Sequence, residues 1–270
     1  MSQPSKTISI ATSIMLFIIV LALEQVYDVI ILYINIPTWF YQVLLLSIPC
    51  MSLIAFGLFT KLTKSSFKRQ GYKKPAGINT PKCILLSIIF VIIYFSVILA
   101  QSVFGYLGSL NLPTSPYLLI FRVAFATIYG FFSESVFRGY IFRNLARHYG
   151  FFTSLYASSI LFSLHKISIR EIPSITADPI IYILTRIIPL LIMGLFLGFF
   201  FYKTRWSLLG PLIFHVSFLL YFEPNAIMSV TSPWWIALTF EMLAFAVLIL
   251  LVDSVIKEPR YRRKRYGLEE

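Results

Sequence analysis

Charged residues are scarce in this 270-residue chain, and most of those present are basic. Only 13% of the residues are charged and 58% are hydrophobic, while 23 Lys and Arg outnumber 11 Asp and Glu. A soluble globular domain is about a quarter charged and nearer half apolar. A basic domain that binds nucleic acid in solution would not carry this apolar content, so nucleic acid is not an expected partner. The composition predicts a polytopic membrane protein of one domain.

Cysteine is almost absent as well. Cys50 and Cys83 provide neither a disulfide framework nor the spacing of a zinc site, and we expect no metal and no cofactor. The first apolar run continues far past the length of a signal peptide, without a clear small-residue cleavage site before it ends. We therefore expect no cleavable signal.

Long uncharged runs predict the membrane spans. A spanning helix needs about 20 apolar residues, and a backbone in lipid must satisfy its own hydrogen bonds, which favours helices. Breaking the runs at Pro, Gly and polar clusters predicts about eight helices, near residues 9–33, 38–60, 83–107, 117–142, 152–167, 181–202, 207–222 and 233–254. The expected fold is all-α, with residues 1–270 forming a single transmembrane domain.

The basic residues alternate between the predicted loops. If the N-terminus lies inside, the inner segments hold all but four of the 23 basic residues, the exceptions being Arg122, Lys166, Arg170 and Arg186. Many lie in the loop 61–82 and in the tail 257–270. The positive-inside rule then predicts a multi-pass protein of the cell membrane with both termini cytoplasmic. The same charges attract anionic membrane lipids.

Several polar or small residues lie within the predicted spans, where charge is costly and often marks function. Glu24 and Asp28 share one face of the first helix, and contact with water at the outer interface is their simplest explanation. Glu241 in the eighth span has no close partner in the sequence. A transporter would use these three acids. Gly194 and Gly198 form a GxxxG pattern, which predicts close helix packing.

The candidate site consists of Glu134, Arg138, His165 and His215. Glu134 and Arg138 are four residues apart, so they share a helix face and can form an ion pair. At about 1.5 Å per residue, Glu134 and His215 lie at matching depths, and His165 matches only if its span begins near Tyr156. We expect these side chains to line a polar cavity between helices four, five and seven, open toward the cytoplasm.

This set of side chains is compatible with several kinds of chemistry. A carboxylate and two imidazoles in a low-dielectric cavity can activate water and stabilise an oxyanion. They can also bind a metal ion, relay protons in a transporter, or simply pack as structural polar groups. The spacing alone leaves these alternatives open.

At these residues the chain resembles the CAAX protease and bacteriocin-processing (CPBP) family of intramembrane glutamate proteases. The family pattern is EExxxR followed by G, then FxxxH, then HxxxN or HxxxD. The chain reads SESVFRG at 133–139, FSLH at 162–165 and FHVSFL at 214–219. Order and spacing match across residues 117–222, the CAAX protease-like core, whereas residues 1–116 resemble the family only in being hydrophobic helices.

The chain departs from the family pattern at three places. Ser133 occupies the position of the first Glu, which in the family is thought to activate water. Phe162 precedes His165 by three residues instead of four, and Leu219 occupies the position of the Asn or Asp. A serine hydroxyl does not accept a proton from water near neutral pH, so the active-site motif is degraded.

The resemblance implies an intramembrane endopeptidase that cleaves membrane-associated peptide or protein segments, such as C-terminal prenyl-type or leader sequences. In this interpretation Glu134 is the water-activating or supporting acid, and Arg138 is its partner. His165 is the base or orients the water, and His215 is the oxyanion donor. The alternative is a catalytically inactive CPBP-fold scaffold, or an accessory subunit with a partner in a membrane complex.

Overall fold

The computed structural model describes residues 6–33, 38–63, 72, 78, 80–103, 116–222 and 234–256. These residues form helices joined by turns, with no strand among them. The predicted all-α fold is therefore confirmed. Most of the basic loop 61–82, the whole basic tail 257–270 and the side chain of Glu241 lie outside the described residues.

Three long apolar helices make up the first part of the chain. They are α1 (Lys6–Tyr33), α2 (Thr38–Leu62) and α3 (Thr80–Val103). Each agrees with a predicted span to within a few residues, because uncharged apolar runs of this length have no alternative to helix in lipid. Pro49 lies inside α2.

The fourth helix is longer than the sequence predicts. It runs as α4 (Pro116–Glu134), a π-helical segment (Ser135–Phe142) and α5 (Arg143–Tyr149). The predicted end at residue 142 was wrong, because the polar residues that follow pair with α1 instead of leaving the helix. Asn144 Nδ2 donates to Ser9 O at 2.9 Å. Gly150 ends α5 with a φ of 76°, which favours glycine.

The remaining chain forms the other half of the bundle. Helix α6 (Phe151–His165) is followed by a 3₁₀ turn (Ile169–Glu171) and by two short helices. The later elements are α7 (Ile172–Ala177), α8 (Pro179–Tyr182), a π-helical turn (Ile183–Ile187), α9 (Ile188–Lys203), α10 (Leu209–Phe222) and α11 (Trp234–Val255). The predicted span 152–167 ends two residues early, since His165 closes α6.

The described helices have the apolar exterior of a membrane protein. Four helical stretches are long and apolar enough to cross a membrane, namely Thr7–Ile30, Val43–Leu62, Leu119–Tyr149 and Pro179–Lys203. Side chains on their outer sides, such as Met15, Ile18 and Ile54, are more than half exposed. Shorter apolar helices cover Thr80–Ser96, Leu209–Leu220 and Met242–Val255. A polytopic membrane protein is confirmed, while the count of eight spans stays a prediction.

Two glycines let α9 pack closely against α6. A Cβ atom added at Gly194 would lie 3.0 Å from Ser159 Cβ, and one added at Gly198 would lie 2.4 Å from Leu155 Cδ1. The small-residue pattern therefore has the packing role that the sequence predicts. This close approach also brings the backbone of α9 to the polar site described below.

A side chain of α1 holds the segment that follows α6. Gln25 Nε2 donates to Ile167 O at 2.7 Å, and Gln25 Oε1 accepts a hydrogen bond from Ile169 N at 2.9 Å. One amide thus satisfies two backbone groups at the start of the segment that follows α6. This arrangement fixes the chain directly after His165 against the first helix.

Candidate active site

The junction between α4 and the π-helical segment positions the first two candidate residues. Glu134 is the last residue of α4, and Arg138 lies within Ser135–Phe142, a segment in which every residue is buried. A π-helical segment inside a longer helix is rare and frequently occurs at functional sites. Here it places both charged side chains in the interior of the bundle.

Glu134, Arg138 and His215 form one buried cluster. His215 Nδ1 lies 2.7 Å from Glu134 Oε1, and Arg138 Nη1 lies 3.5 Å from the same oxygen. The three residues are at most 1% exposed. Both the predicted ion pair and the predicted matching depth of Glu134 and His215 are present in the structure. Removing any one member would leave its partners without compensation in a dry environment.

Arg138 also contacts neighbours on α9 and α6. Its Nη2 donates to Gly194 O at 3.3 Å, and its guanidinium carbon lies 4.1 Å from the centre of the Phe162 ring. A carbonyl acceptor and an aromatic face both favour a cation. The side chain is therefore held as the positive member of the cluster.

The contact with Glu134 determines which nitrogen of His215 carries the proton. A carboxylate only accepts hydrogen bonds, so Nδ1 of His215 is the donor. Among the described residues, neither His215 Nε2 nor Glu134 Oε2 has a hydrogen-bond partner. A histidine oriented by a carboxylate, with its other ring nitrogen unengaged, is an arrangement that hydrolases use for proton transfer or oxyanion binding.

His165 faces away from this cluster, toward α1 and α4. Its Nδ1 lies within hydrogen-bond distance of Phe162 O, and its Nε2 lies 3.3 Å from the Tyr129 hydroxyl. Glu24 Oε1 is 3.8 Å from the same nitrogen. Because the fourth helix continues to Tyr149 and α6 begins at Phe151, Glu134 and His165 each lie about 20 Å along their helices from the turn at Gly150, so their depths are similar.

The ring of Phe162 connects the two parts of the site. Its centroid is 5.4 Å from that of His165 and 5.6 Å from that of His215, and Arg138 lies over its face. Three of the four predicted residues therefore surround one aromatic side chain, and the fourth, Glu134, contacts two of those three. The four residues divide into a cluster around Glu134 and a second group around His165.

A cavity of about 190 Å³ adjoins the second group. Its polar lining includes Glu24, Asp28, Tyr129, His165, Lys166 and Arg186. It lies between α1, α2, α4 and the segment after α6, toward the end of the bundle where α1 ends and α4 begins. The cavity predicted between helices four, five and seven, open toward the cytoplasm, stays a prediction.

The two altered motif positions lie in different surroundings. Ser133 is fully buried, and its hydroxyl has no hydrogen-bond partner among the described residues. Leu219 belongs to an apolar cluster with Phe125, Ala126 and Tyr129. Where the family has Asn or Asp, this chain has a leucine that packs in the hydrophobic interior.

Tyr72, in the predicted inner loop, contacts the start of the π-helical segment. Its hydroxyl is hydrogen-bonded to the hydroxyl of Ser135, and its ring centroid lies 5.3 Å from that of Phe131. Burial raises the pKa of Tyr72 to about 12, with the hydrogen bond to Ser135 acting in the opposite direction. The phenol therefore stays protonated at physiological pH.

Sequence reasoning did not place Glu24 and Tyr129 at the site. The sequence pattern singled out Glu24 as a charge inside a span, but contact with water was its simplest explanation. Tyr129 donates to Glu24 Oε1 at 2.8 Å, and the Glu24 side chain is only 13% exposed. The one available signal was that Tyr129 lies on the same helix as the SESVFRG block.

Comparison with known families supports the resemblance. Residues 113–221 match the family described as Rce1-like, type II CAAX prenyl endopeptidase Rce1-like. The matched segment contains Glu134, Arg138, His165 and His215, and it agrees with the CAAX protease-like core 117–222 predicted from the motifs. No curated protein matches the chain. The resemblance to the CPBP family is thus confirmed over this segment.

Proposed function

We propose, because residues 113–221 match an endopeptidase family, that this chain is an intramembrane endopeptidase with an altered active-site motif. Its substrates are membrane-associated peptide or protein segments, such as C-terminal prenyl-type or leader sequences. The observation that carries the proposal is the 2.7 Å contact between His215 and Glu134. It joins the first and third motif blocks at one point in the interior.

The contacts favour distinct roles for the four residues. Glu134 is the supporting acid, because its Oε1 already faces both Arg138 and His215. His215 is the oxyanion donor by its position in the third motif block, and Glu134 orients its ring through Nδ1. His165 is the base or water-orienting residue, and it borders the cavity.

We expect His215→Ala to abolish detectable cleavage. Loss of one oxyanion donor typically lowers kcat by about 10²–10³-fold. The measurement is cleavage of a membrane-tethered peptide library by the purified chain in liposomes. His148→Ala is the matched control, because His148 is a histidine whose Nε2 bonds to Ser9 Oγ at 2.9 Å, away from the site. Equal cleavage by wild type and His215→Ala would contradict the proposed role.

A catalytically inactive scaffold or accessory subunit is the second candidate function. It is favoured by the burial of Glu134, Arg138, His165 and His215, which are each at most 1% exposed. A scaffold needs a sealed and stable polar core, whereas a protease must admit water and a peptide. Absence of cleavage by the wild type, together with stable co-purification of a membrane partner, would favour this function over proteolysis.

We also propose that both termini and the loop 61–82 are cytoplasmic, on the basis of the distribution of basic residues. In a background without Cys50 and Cys83, an impermeant thiol reagent applied to intact cells should label Ser109→Cys and spare Ser65→Cys. Ser65 and Ser109 both lie outside the described residues. Labelling of Ser65→Cys with protection of Ser109→Cys would mean that the orientation is reversed.

A further inference from the structure

A carboxylate, a phenol and an imidazole meet at the wall of the cavity. Tyr129 donates to Glu24 Oε1 at 2.8 Å, and that oxygen lies 3.8 Å from His165 Nε2. The three side chains come from α1, α4 and α6, and all of them line the cavity of about 190 Å³. The volume exceeds that of a single water molecule, whose share of liquid volume is about 30 Å³.

The hydrogen bonds determine what each group can do with a proton. Phe162 O can only accept, so His165 Nδ1 is the donor in that contact. His165 Nε2 therefore faces Glu24 either as a lone pair or with a transferable proton. The Tyr129 hydroxyl lies within hydrogen-bond distance of both Glu24 Oε1 and His165 Nε2, at 2.8 and 3.3 Å, so it links the carboxylate to the imidazole. A carboxylate and an imidazole linked in this way can both accept a proton from water and return it.

We propose that Glu24 is the water-activating carboxylate of this chain, working with His165 and positioned by Tyr129. The proposal rests on the proposed endopeptidase function. It explains how the reaction proceeds although Ser133 occupies the position where the family has the first Glu of its EExxxR pattern. Glu134 is fully buried and is not among the residues that line this cavity, so Glu24 is the carboxylate that borders the cavity next to His165.

The proposed step is balanced in atoms and protons. A water molecule in the cavity gives one proton to the Glu24–His165 pair while its oxygen bonds to the carbonyl carbon of the scissile peptide. The carbonyl oxygen takes the negative charge. When the C–N bond breaks, the pair returns the proton to the leaving amine, and the products are a carboxyl and an amino terminus. No other reactant is consumed.

Other charged groups around the cavity already have partners. Asp28 accepts a hydrogen bond from Ser168, and Lys166 Nζ lies 4.1 Å from the centre of the Tyr129 ring. Arg186 Nε pairs with Glu171 at 3.2 Å. Of the two cavity carboxylates, Glu24 is thus the one that faces the imidazole.

The test is the rate of cleavage of the membrane-tethered peptide library in liposomes. Glu24→Gln keeps the size of the side chain and removes the carboxylate. We expect it to lower kcat by about 10²–10⁴-fold, the usual contribution of a general base, with KM little changed. The matched control is Glu171→Gln, which removes an ion-paired carboxylate outside the cavity and should leave cleavage unchanged.

Tyr129→Phe provides a second measurement, which leaves every charge in place. It removes only the hydroxyl that orients Glu24, so we expect a lower kcat at unchanged KM and an unchanged thermal midpoint in detergent. This variant decides the question if Glu24→Gln does not fold. Wild-type kcat in folded Glu24→Gln, or in Tyr129→Phe when the other variant unfolds, would overturn the assignment of Glu24.

The same assay separates this inference from the function on which it rests. If the wild type cleaves peptides and Glu24→Gln cleaves them equally well, the chain is a protease and Glu24 is not its base. If the wild type cleaves no member of the library, the proposed function fails and the assignment fails with it. Equal losses in Glu24→Gln and Glu171→Gln would indicate general destabilisation and would also overturn the assignment.

Discussion

Glu134→Ala is expected to lower the free energy of unfolding in detergent by about 3–5 kcal/mol, the usual cost of breaking a buried ion pair. The substitution leaves the guanidinium of Arg138 in an interior position that is 1% exposed. It also removes the acceptor for His215 Nδ1. Adding Arg138→Ala should recover part of the loss, because the uncompensated charge is then gone.

Chemical denaturation of the four proteins of this double-mutant cycle measures the effect. The control is the pair of Glu171 with Arg186, in which the side chains are 24% and 45% exposed. Removing Glu171 should cost less than removing Glu134, because its ion pair is more exposed, although Glu171 also accepts a hydrogen bond from Tyr182. Strictly additive losses for Glu134 and Arg138 would show that the two side chains do not stabilise each other.

A carboxylate at position 133 is expected to restore cleavage to a chain that has lost Glu24. A carboxylate accepts a proton from water far more readily than a hydroxyl does, and a general base is worth about 10²–10⁴-fold in rate. The double variant Glu24→Gln with Ser133→Glu should therefore recover most of the rate lost in Glu24→Gln. Ser133→Glu alone should cleave faster than wild type.

Ser133→Gln is the control for Ser133→Glu, because glutamine has nearly the same volume as glutamate but carries no charge. The peptide-library assay is combined with thermal unfolding, since Ser133 is fully buried and a larger side chain costs packing energy. If folded Ser133→Glu protein is no faster than Ser133→Gln in either background, position 133 does not face the reacting water.

The sequence was sufficient for the order of the helices because long uncharged runs admit little else in lipid. It failed at the end of the fourth helix, which the sequence predicts near residue 142. The structure continues the helix to Tyr149, with Asn144 bonded to Ser9 O. A contact between residues that are far apart in the sequence cannot be recognised from the residues around either one.

The candidate site was predictable where its contacts are local. Glu134 and Arg138 are one turn apart, and their pairing follows from helix geometry. The meeting of Glu24 with His165 joins residues 141 positions apart, and nothing in either segment indicates the other. The π-helical segment was equally invisible, since one additional residue in a turn leaves the apolar composition unchanged.

Gln25 connects two parts of the chain that differ in their relation to the matched family. Its amide holds Ile167 and Ile169, yet the family match begins only at residue 113. The cavity is therefore formed partly by residues outside the matched segment. Replacing α1 by an unrelated helix would remove the side chain that anchors the segment directly after His165. Substitutions in α1 and in the segment after α6 are thus expected to arise as compensating pairs.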